Sequence, residues 1–304
     1  MKSRLSKEEL SSCYSLSEKE LDYVQKHSVG DSHQLTFAIL LKTRQILKYF
    51  PSIESVPIQI KSYLSQQMAL VNGSPICLDD FDHKKAYWRY RQTIRKYLGS
   101  KKYGKVDADH LRKVIVSAAY KMSDPADLIN VGIEELVKNN VELPAFSTLD
   151  RLANHIRTKV HTEIYQKTFH NLGSEQKERL SKLLDVPVND HFSEFSRLKQ
   201  HPHTPTLSHI KLWGDRLAWI QDILDAEPII ENISYTKVRQ FAAEAKACTI
   251  ADMRGIRDEA KKFTLLACFL DQAQRETVDA LIDMFLRRMK RTENTARGAS
   301  CYSG

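Results

Sequence analysis

Between Lys84 and Lys121 twelve basic residues stand against two acids, Asp107 and Asp109, a local charge of +10 in a chain that totals +8. They are Lys84, Lys85, Arg89, Arg91, Arg95, Lys96, Lys101, Lys102, Lys105, Arg112, Lys113 and Lys121. The rest of the chain is therefore net negative, and the basic character is a patch rather than a property of the composition. Tyr87, Trp88, Tyr90, Tyr97, Tyr103 and Tyr120 are interleaved with the charges. Guanidinium and ammonium groups bind phosphate oxygens and aromatic rings pack or stack, so this mixture points to a surface for nucleic acid.

Other chemistry is not spelled out. The chain holds no phosphate-loop, nucleophile-elbow, zinc-peptidase or dinucleotide-binding motif. Asp79, Asp80 and Asp82 with His83 form an acidic run that reads as helix-start charge favouring the dipole, in preference to a Mg²⁺ site. His201 and His203 have no acidic or cysteine neighbour at ligand spacing and read as linker histidines. No catalytic residue, metal ligand or cofactor is assigned.

The patch needs a scaffold, and its spacing supplies one. From about Asp82 to Leu98, Tyr87, Tyr90, Ile94, Tyr97 and Leu98 share one helical face, while Lys84, Lys85, Trp88, Arg89, Arg91, Arg95 and Lys96 cover the other. The helix is expected to pack by the first face and present the second. Gly99 is its candidate C-cap, and the loop from Ser100 to Lys105 extends the positive surface. Further on, Ile133, Leu136 and Val137 close a helix, 139–144 makes a turn, and Ser147 caps a helix carrying Leu149, Leu152, Ile156 and Val160. That outline is a helix-turn-helix, with Thr148, Arg151, Asn154, His155 and Thr158 on or beside the outer side of its second helix.

Ten glycines and nine prolines in 304 residues are few, which favours helices over glycine-turned sheets, and 42% hydrophobic content supports packed cores. The fold class expected is all-α, a multi-domain helical array. Helices are expected over 17–28, 32–49 with Arg44 and Lys48 toward solvent, 58–70, 107–121, 124–139, 147–159, 174–184, 207–224, 234–246, 249–270 and 274–291. Domains are placed at 1–105, 106–187 and 206–298, with 185–205 as linker and 299–304 as an atypical tail. Five widely spaced cysteines read as free thiols in a reducing compartment, and the charged N-terminus and short apolar runs lack a signal peptide or membrane span. A cytoplasmic location follows as an expectation.

Several strings carry a family likeness: Tyr14–Ser17 with Leu21, His33–Leu41, Phe50–Pro51 and Val56–Pro57 before Tyr63–Leu64, Ile94–Gly99, and above all Glu142–Leu152, Glu-Leu-Pro-Ala-Phe-Ser-Thr-Leu-Asp-Arg-Leu. In these the chain resembles the N-terminal part of the large replicative transposases of the Tn-three (class II transposon) family. The resemblance implies binding to the terminal inverted repeats of a transposon. It places strand cutting and transfer in a C-terminal RNase H-like domain with an Asp-Asp-Glu triad and Mg²⁺, beyond residue 304. Gly99-Ser100 and the ending Gly-Ala-Ser-Cys-Tyr-Ser-Gly depart from the family pattern.

The expected function is thus double-stranded DNA recognition without catalysis. Lys84, Lys85, Arg89, Arg91, Arg95, Lys96, Lys101, Lys102, Lys105, Arg112 and Lys113 are the expected phosphate contacts. Thr148, Arg151, Asn154, His155 and Thr158 are the expected base readers. The alternative is a helical interaction module, or truncated regulator, that assembles with itself or with intact transposase through its C-terminal third.

Overall fold

A computed structural model of the chain describes residues 5–70, 81–187, 191–200, 206–224, 230 and 233–301, with 81–83 and 295–301 described by their backbone alone. Among these residues the fold is all-α. The helices are α1 (Lys7–Tyr14), α2 (Glu18–His27), α3 (Asp31–Leu47), α4 (Ile58–Gln67), α5 (Phe81–Tyr97), α6 (Lys105–Ala119), α7 (Pro125–Lys138), α8 (Phe146–Asn171), α9 (Ser174–Lys182), α10 (Glu194–Leu198), α11 (Leu207–Leu224), α12 (Tyr235–Ala247), α13 (Ile250–Gly255) and α14 (Glu259–Cys301). No described helix is long and apolar enough to cross a membrane. Asp79, Asp80, His201 and His203, and the side chains of Asp82 and His83, lie outside what is described.

The chain divides into two compact units, Met1–Ile115 with Leu128–Ala153, and Val116–Asp127 with Asn154–Gly304. The division falls inside α6, α7 and α8, and the segment 185–205 belongs to the second unit.

In the first unit α3 is the central helix, packed by α1, α2, α4 and α5. Leu35, Phe37, Ala38, Ile39, Leu40 and Leu41 are all buried, so α3 is covered on every side rather than on one stripe. This overturns the expectation that Arg44 points to solvent: it is 2% exposed. Ser17 and Glu20 close a capping box at the start of α2. Glu20 is itself buried, against Lys42 Nζ at 3.2 Å and Gln45 at 2.6 Å. Burial pushes its carboxyl up, but the Ser17 N–H, Gln45 and Lys42 together bring it below the ordinary value.

In the second unit α14 packs against α9, α11 and α12, and its Leu265–Leu270 segment is entirely buried. It joins what the sequence suggested as two helices, and α13 splits off before it. Its backbone stays helical through Cys301, into the stretch set aside as a tail. Beside this core Lys237 is fully buried, its Nζ donating to Ser123 Oγ and to His161 Nε2 at 2.9 Å. Burial, with Arg157 nearby, lowers Lys237 to about 8. Burial and then the charges of Lys237, Arg157 and Lys261 lower His161 to about 4. Cys268 is buried and its thiol is pushed up by that burial.

Candidate nucleic-acid interface

Three helix C-termini meet in the first unit, each ended by a residue in the left-handed region: Lys48 (φ 63) after α3, Gly99 (φ 60) after α5 and Asn140 (φ 52) after α7. After α5, the Ser100 N–H donates to Arg95 O at 2.9 Å and the Gly99 N–H to Lys96 O at 3.3 Å, a Schellman motif that the Gly99 spacing anticipated. After α7 the same pair recurs, Val141 N–H to Leu136 O and Asn140 N–H to Val137 O.

The two motifs dock on one another. Asn140 Nδ2 donates to Leu98 O and Gly99 O, both at 3.0 Å. The Lys101 N–H donates to Asn140 O at 3.0 Å and the Glu142 N–H to Lys101 O at 2.8 Å, a short parallel bridge. The Leu143 N–H then donates to Lys48 O at 2.9 Å, tying in α3. So the turn between α7 and α8 is bolted to the ends of α3 and α5 by backbone hydrogen bonds, whose geometry does not depend on surface side chains.

Glu142 sits at this junction, 7% exposed. Arg91 Nη2 donates to one of its oxygens at 2.7 Å and Arg95 to the other at 2.7 Å. Arg44, Arg91 and Arg95 all lie within 6 Å of the Phe50 ring centre, at 5.9, 4.8 and 5.3 Å. Burial pulls the Arg44 guanidinium below its ordinary value, with Glu142 opposing and Arg95 adding to the shift. Three cations thus share one carboxylate, and the negative ends of three helix dipoles help to tolerate the excess. Arg44 Nε and Nη2 and Arg91 Nε are buried with no hydrogen-bond partner. Beside the junction opens a cavity of about 520 Å³ whose lining includes Tyr49, Ser52, Arg91, Lys102, Tyr103 and Glu142.

This geometry corrects the helical projection. Arg95, expected on the outer face, is 6% exposed and turned to Glu142, and Arg91 is half-buried. The reason is charge: a buried carboxylate beside α5 draws in the two guanidiniums one turn apart. The inner face is as expected for Tyr90 and Ile94, both buried, whereas Tyr97 is exposed, its ring tilted against Tyr23 at 4.3 Å. Lys84, Lys85, Arg89 and Lys96 of α5 are exposed, and so is Trp88, by 64%. Lys101 and Lys102 of the following loop are exposed, as are Lys105, Arg112 and Lys113 of α6, where Arg112 pairs with Asp109 at 3.1 Å.

The reader helix α8 runs longer than expected, starting at Phe146 and ending at Asn171. Of the residues in the first unit, Arg151 is exposed and Thr148 half-exposed; of those in the second, Asn154, His155 and Thr158 are exposed. Arg151 Nε donates to Ser147 O and Thr158 Oγ1 to Asn154 O, contacts that orient them along their own helix. Glu142 and Arg44 were missed as organising residues. Glu142 lies some fifty residues from Arg91 and Arg95, so no local signal marked it; for Arg44 the available signal was an apolar run on all sides of its helix.

Residues 1–156 match the family described as a domain of unknown function, DUF4158. Among curated proteins the chain is 24% identical over 292 residues to the transposase for transposon Tn1546 of Enterococcus faecium, an alignment covering 92% of this chain and 28% of that protein. It is 22% identical over 301 residues to the transposase for transposon Tn3926 of Escherichia coli, covering 96% and 29%. The transposase for transposon gamma-delta of Escherichia coli (strain K12) is 19% identical over 280 residues, covering 91% and 28%. The chain spans under a third of the length of these relatives. It belongs to the DUF4158 family and corresponds to an N-terminal region of Tn-three-family transposases.

Proposed function

We propose that this chain binds double-stranded DNA at the terminal inverted repeats of a transposon, and that cutting and joining are carried out by a domain outside it. The observation that carries the reading is the arrangement around Glu142. It holds α5, the loop to Lys105 and the α7–α8 turn in one fixed frame, and leaves Lys84, Lys85, Arg89, Lys96, Lys101 and Lys102 exposed along it. These six, with Lys105, Arg112 and Lys113, grip phosphates and set the register. Arg95 is withdrawn from that role and Arg91 is shared: one nitrogen holds Glu142 while the half-buried side chain lines the cavity, where with Lys102 it receives a single phosphate.

Base reading falls to α8 entering a major groove. Arg151 can bridge a guanine edge and Thr148 a neighbouring base or phosphate, with Asn154, His155 and Thr158 further along. The α7–α8 pair then acts as a helix-turn-helix whose turn is fixed to the phosphate-gripping frame. Fluorescence anisotropy against salt tests this. The six frame residues alone give a slope of log K against log salt of about −5, and the further contacts make it steeper; an inverted-repeat duplex binds more tightly than a scrambled one. A slope near zero overturns the DNA reading, and equal affinities overturn the assignment of α8.

A further inference from the structure

The outer face of α5 holds a group that neither the fold nor phosphate gripping uses. Trp88 is 64% exposed. Tyr90 and Ile94, buried on the far side of the helix, fix its rotation, so the indole cannot turn inward. The rings beside it are engaged: Tyr87 Oη donates to Pro51 O at 3.0 Å, and Tyr90 Oη bonds with His33 Nδ1 at 2.9 Å. So are the guanidiniums of α5, Arg89 over the Tyr90 ring at 5.5 Å and Arg91 and Arg95 over the Phe50 ring at 4.8 and 5.3 Å. Among the described residues the Trp88 indole has no ring, cation or hydrogen-bond partner. Around the helix, Lys84, Lys85, Gln92 and Lys96, all exposed, stand within about 80° of it, the first two about one turn before and Lys96 about two turns after. A single exposed apolar residue is ordinary; a tryptophan centred among cations, on a helix that turns its other rings inward, is not.

The chemistry of the group says what it would meet. Indole has one N–H donor and no acceptor, too little to tell one base edge from another. What it offers is a broad flat ring, which stacks on the face of any base. An acidic protein surface would satisfy the lysines and leave the indole against charge, whereas nucleic acid supplies phosphates and base faces together. We infer that Trp88 is a wedge: with phosphates held by Lys84 and Lys85 on one side and by Lys96 on the other, the indole enters the duplex between them, opens a base step and stacks on the base it uncovers. The inference rests on the DNA reading and adds a selection to it. Pyrimidine–purine steps unstack most easily, so they are favoured beneath Trp88 although no base edge is read there.

Fluorescence anisotropy with the full chain tests the wedge, on the inverted-repeat duplex and on copies in which one mismatched base pair is moved along the sequence. Trp88→Ala weakens binding to the matched duplex by about 5- to 150-fold, the range of one base–aromatic stack. Trp88→Phe weakens it much less, because a ring remains. Neither variant changes the salt slope or the circular dichroism, since Trp88 carries no charge and lies outside the packed core. At one position the mismatch, already loosened, tightens wild-type binding by about tenfold and leaves Trp88→Ala unmoved. Affinity of Trp88→Ala indistinguishable from wild type, at an unchanged salt slope, overturns the wedge and leaves the DNA reading standing. A loss in Trp88→Ala with no mismatch position that tightens the wild type also overturns it, since the ring then packs without opening a step. A wild-type chain with no salt-dependent affinity for DNA overturns both.

Discussion

Replacing Glu142 is the sharpest perturbation of the first unit. Its carboxylate accepts two charge-assisted hydrogen bonds of 2.7 Å from Arg91 and Arg95 and lies in the field of the buried Arg44. Each such bond contributes about 1.5–3 kcal/mol; Arg91 is partly exposed and belongs at the lower end. Removing the acid also strands Arg95, 6% exposed, beside Arg44, 2% exposed, and leaving a buried cation unpaired costs about 3–5 kcal/mol. Glu142→Ala is therefore expected to lose about 3–5 kcal/mol. Glu142→Gln keeps one acceptor and the shape, and is expected to lose about half as much. Urea unfolding followed by Trp88 fluorescence, in a background with Trp213 and Trp219 replaced by Phe, reads the unit directly. Adding Arg95→Met to Glu142→Ala should recover part of the loss, because the stranded charge is gone. A loss under about 1 kcal/mol for the alanine variant, or no recovery in the double variant, would refute the arginine cluster around Glu142 as a stabilising and positioning element.

Four further outcomes follow from the same geometry. Gly99→Ala forces a Cβ into a backbone of φ +60 and should cost about 1 kcal/mol, read in the same unfolding assay; no loss would mean that α5 ends otherwise. Converting Lys96, Lys101 and Lys102 to Gln should flatten the salt slope of DNA binding by about three with little change in stability, whereas Arg95→Met should do the reverse. In the second unit His161 is held at about 4 by burial and by the charges of Lys237, Arg157 and Lys261. A folded value below the unfolded one means full stability above about pH 6.5, lost as pH falls toward 4, by about 3 kcal/mol. His161→Gln should remove that slope, and an unchanged acid transition would refute it. Asn140→Ala should lose the two side-chain bonds to Leu98 O and Gly99 O while the backbone bonds of Lys101, Glu142 and Leu143 still hold the α7–α8 turn, so that the turn loosens and DNA specificity falls more than overall affinity; a parallel fall in both would contradict a role in positioning.

Sequence periodicity carried the helices because it is a local property: the 3.6-residue spacing of Tyr90 and Ile94, the Gly99 stop and the Ser17 box are each written within one turn of chain. The direction of a long charged side chain is not. A helical wheel placed Arg91 and Arg95 outside together with Arg89 and Lys96, since all four bear the same charge on neighbouring positions. What separates them is a carboxylate some fifty residues away, brought alongside α5 by the backbone bonds of Asn140, Lys101 and Leu143. The same long-range packing hid Arg44, whose helix is surrounded on all sides. The string from Glu142 to Leu152 that carried the family likeness thus joins two roles: its first residue anchors the basic helix from within, and its later ones begin the helix proposed to read DNA. A substitution at Glu142 would therefore disturb phosphate gripping and base reading at once, without touching either set of contacts.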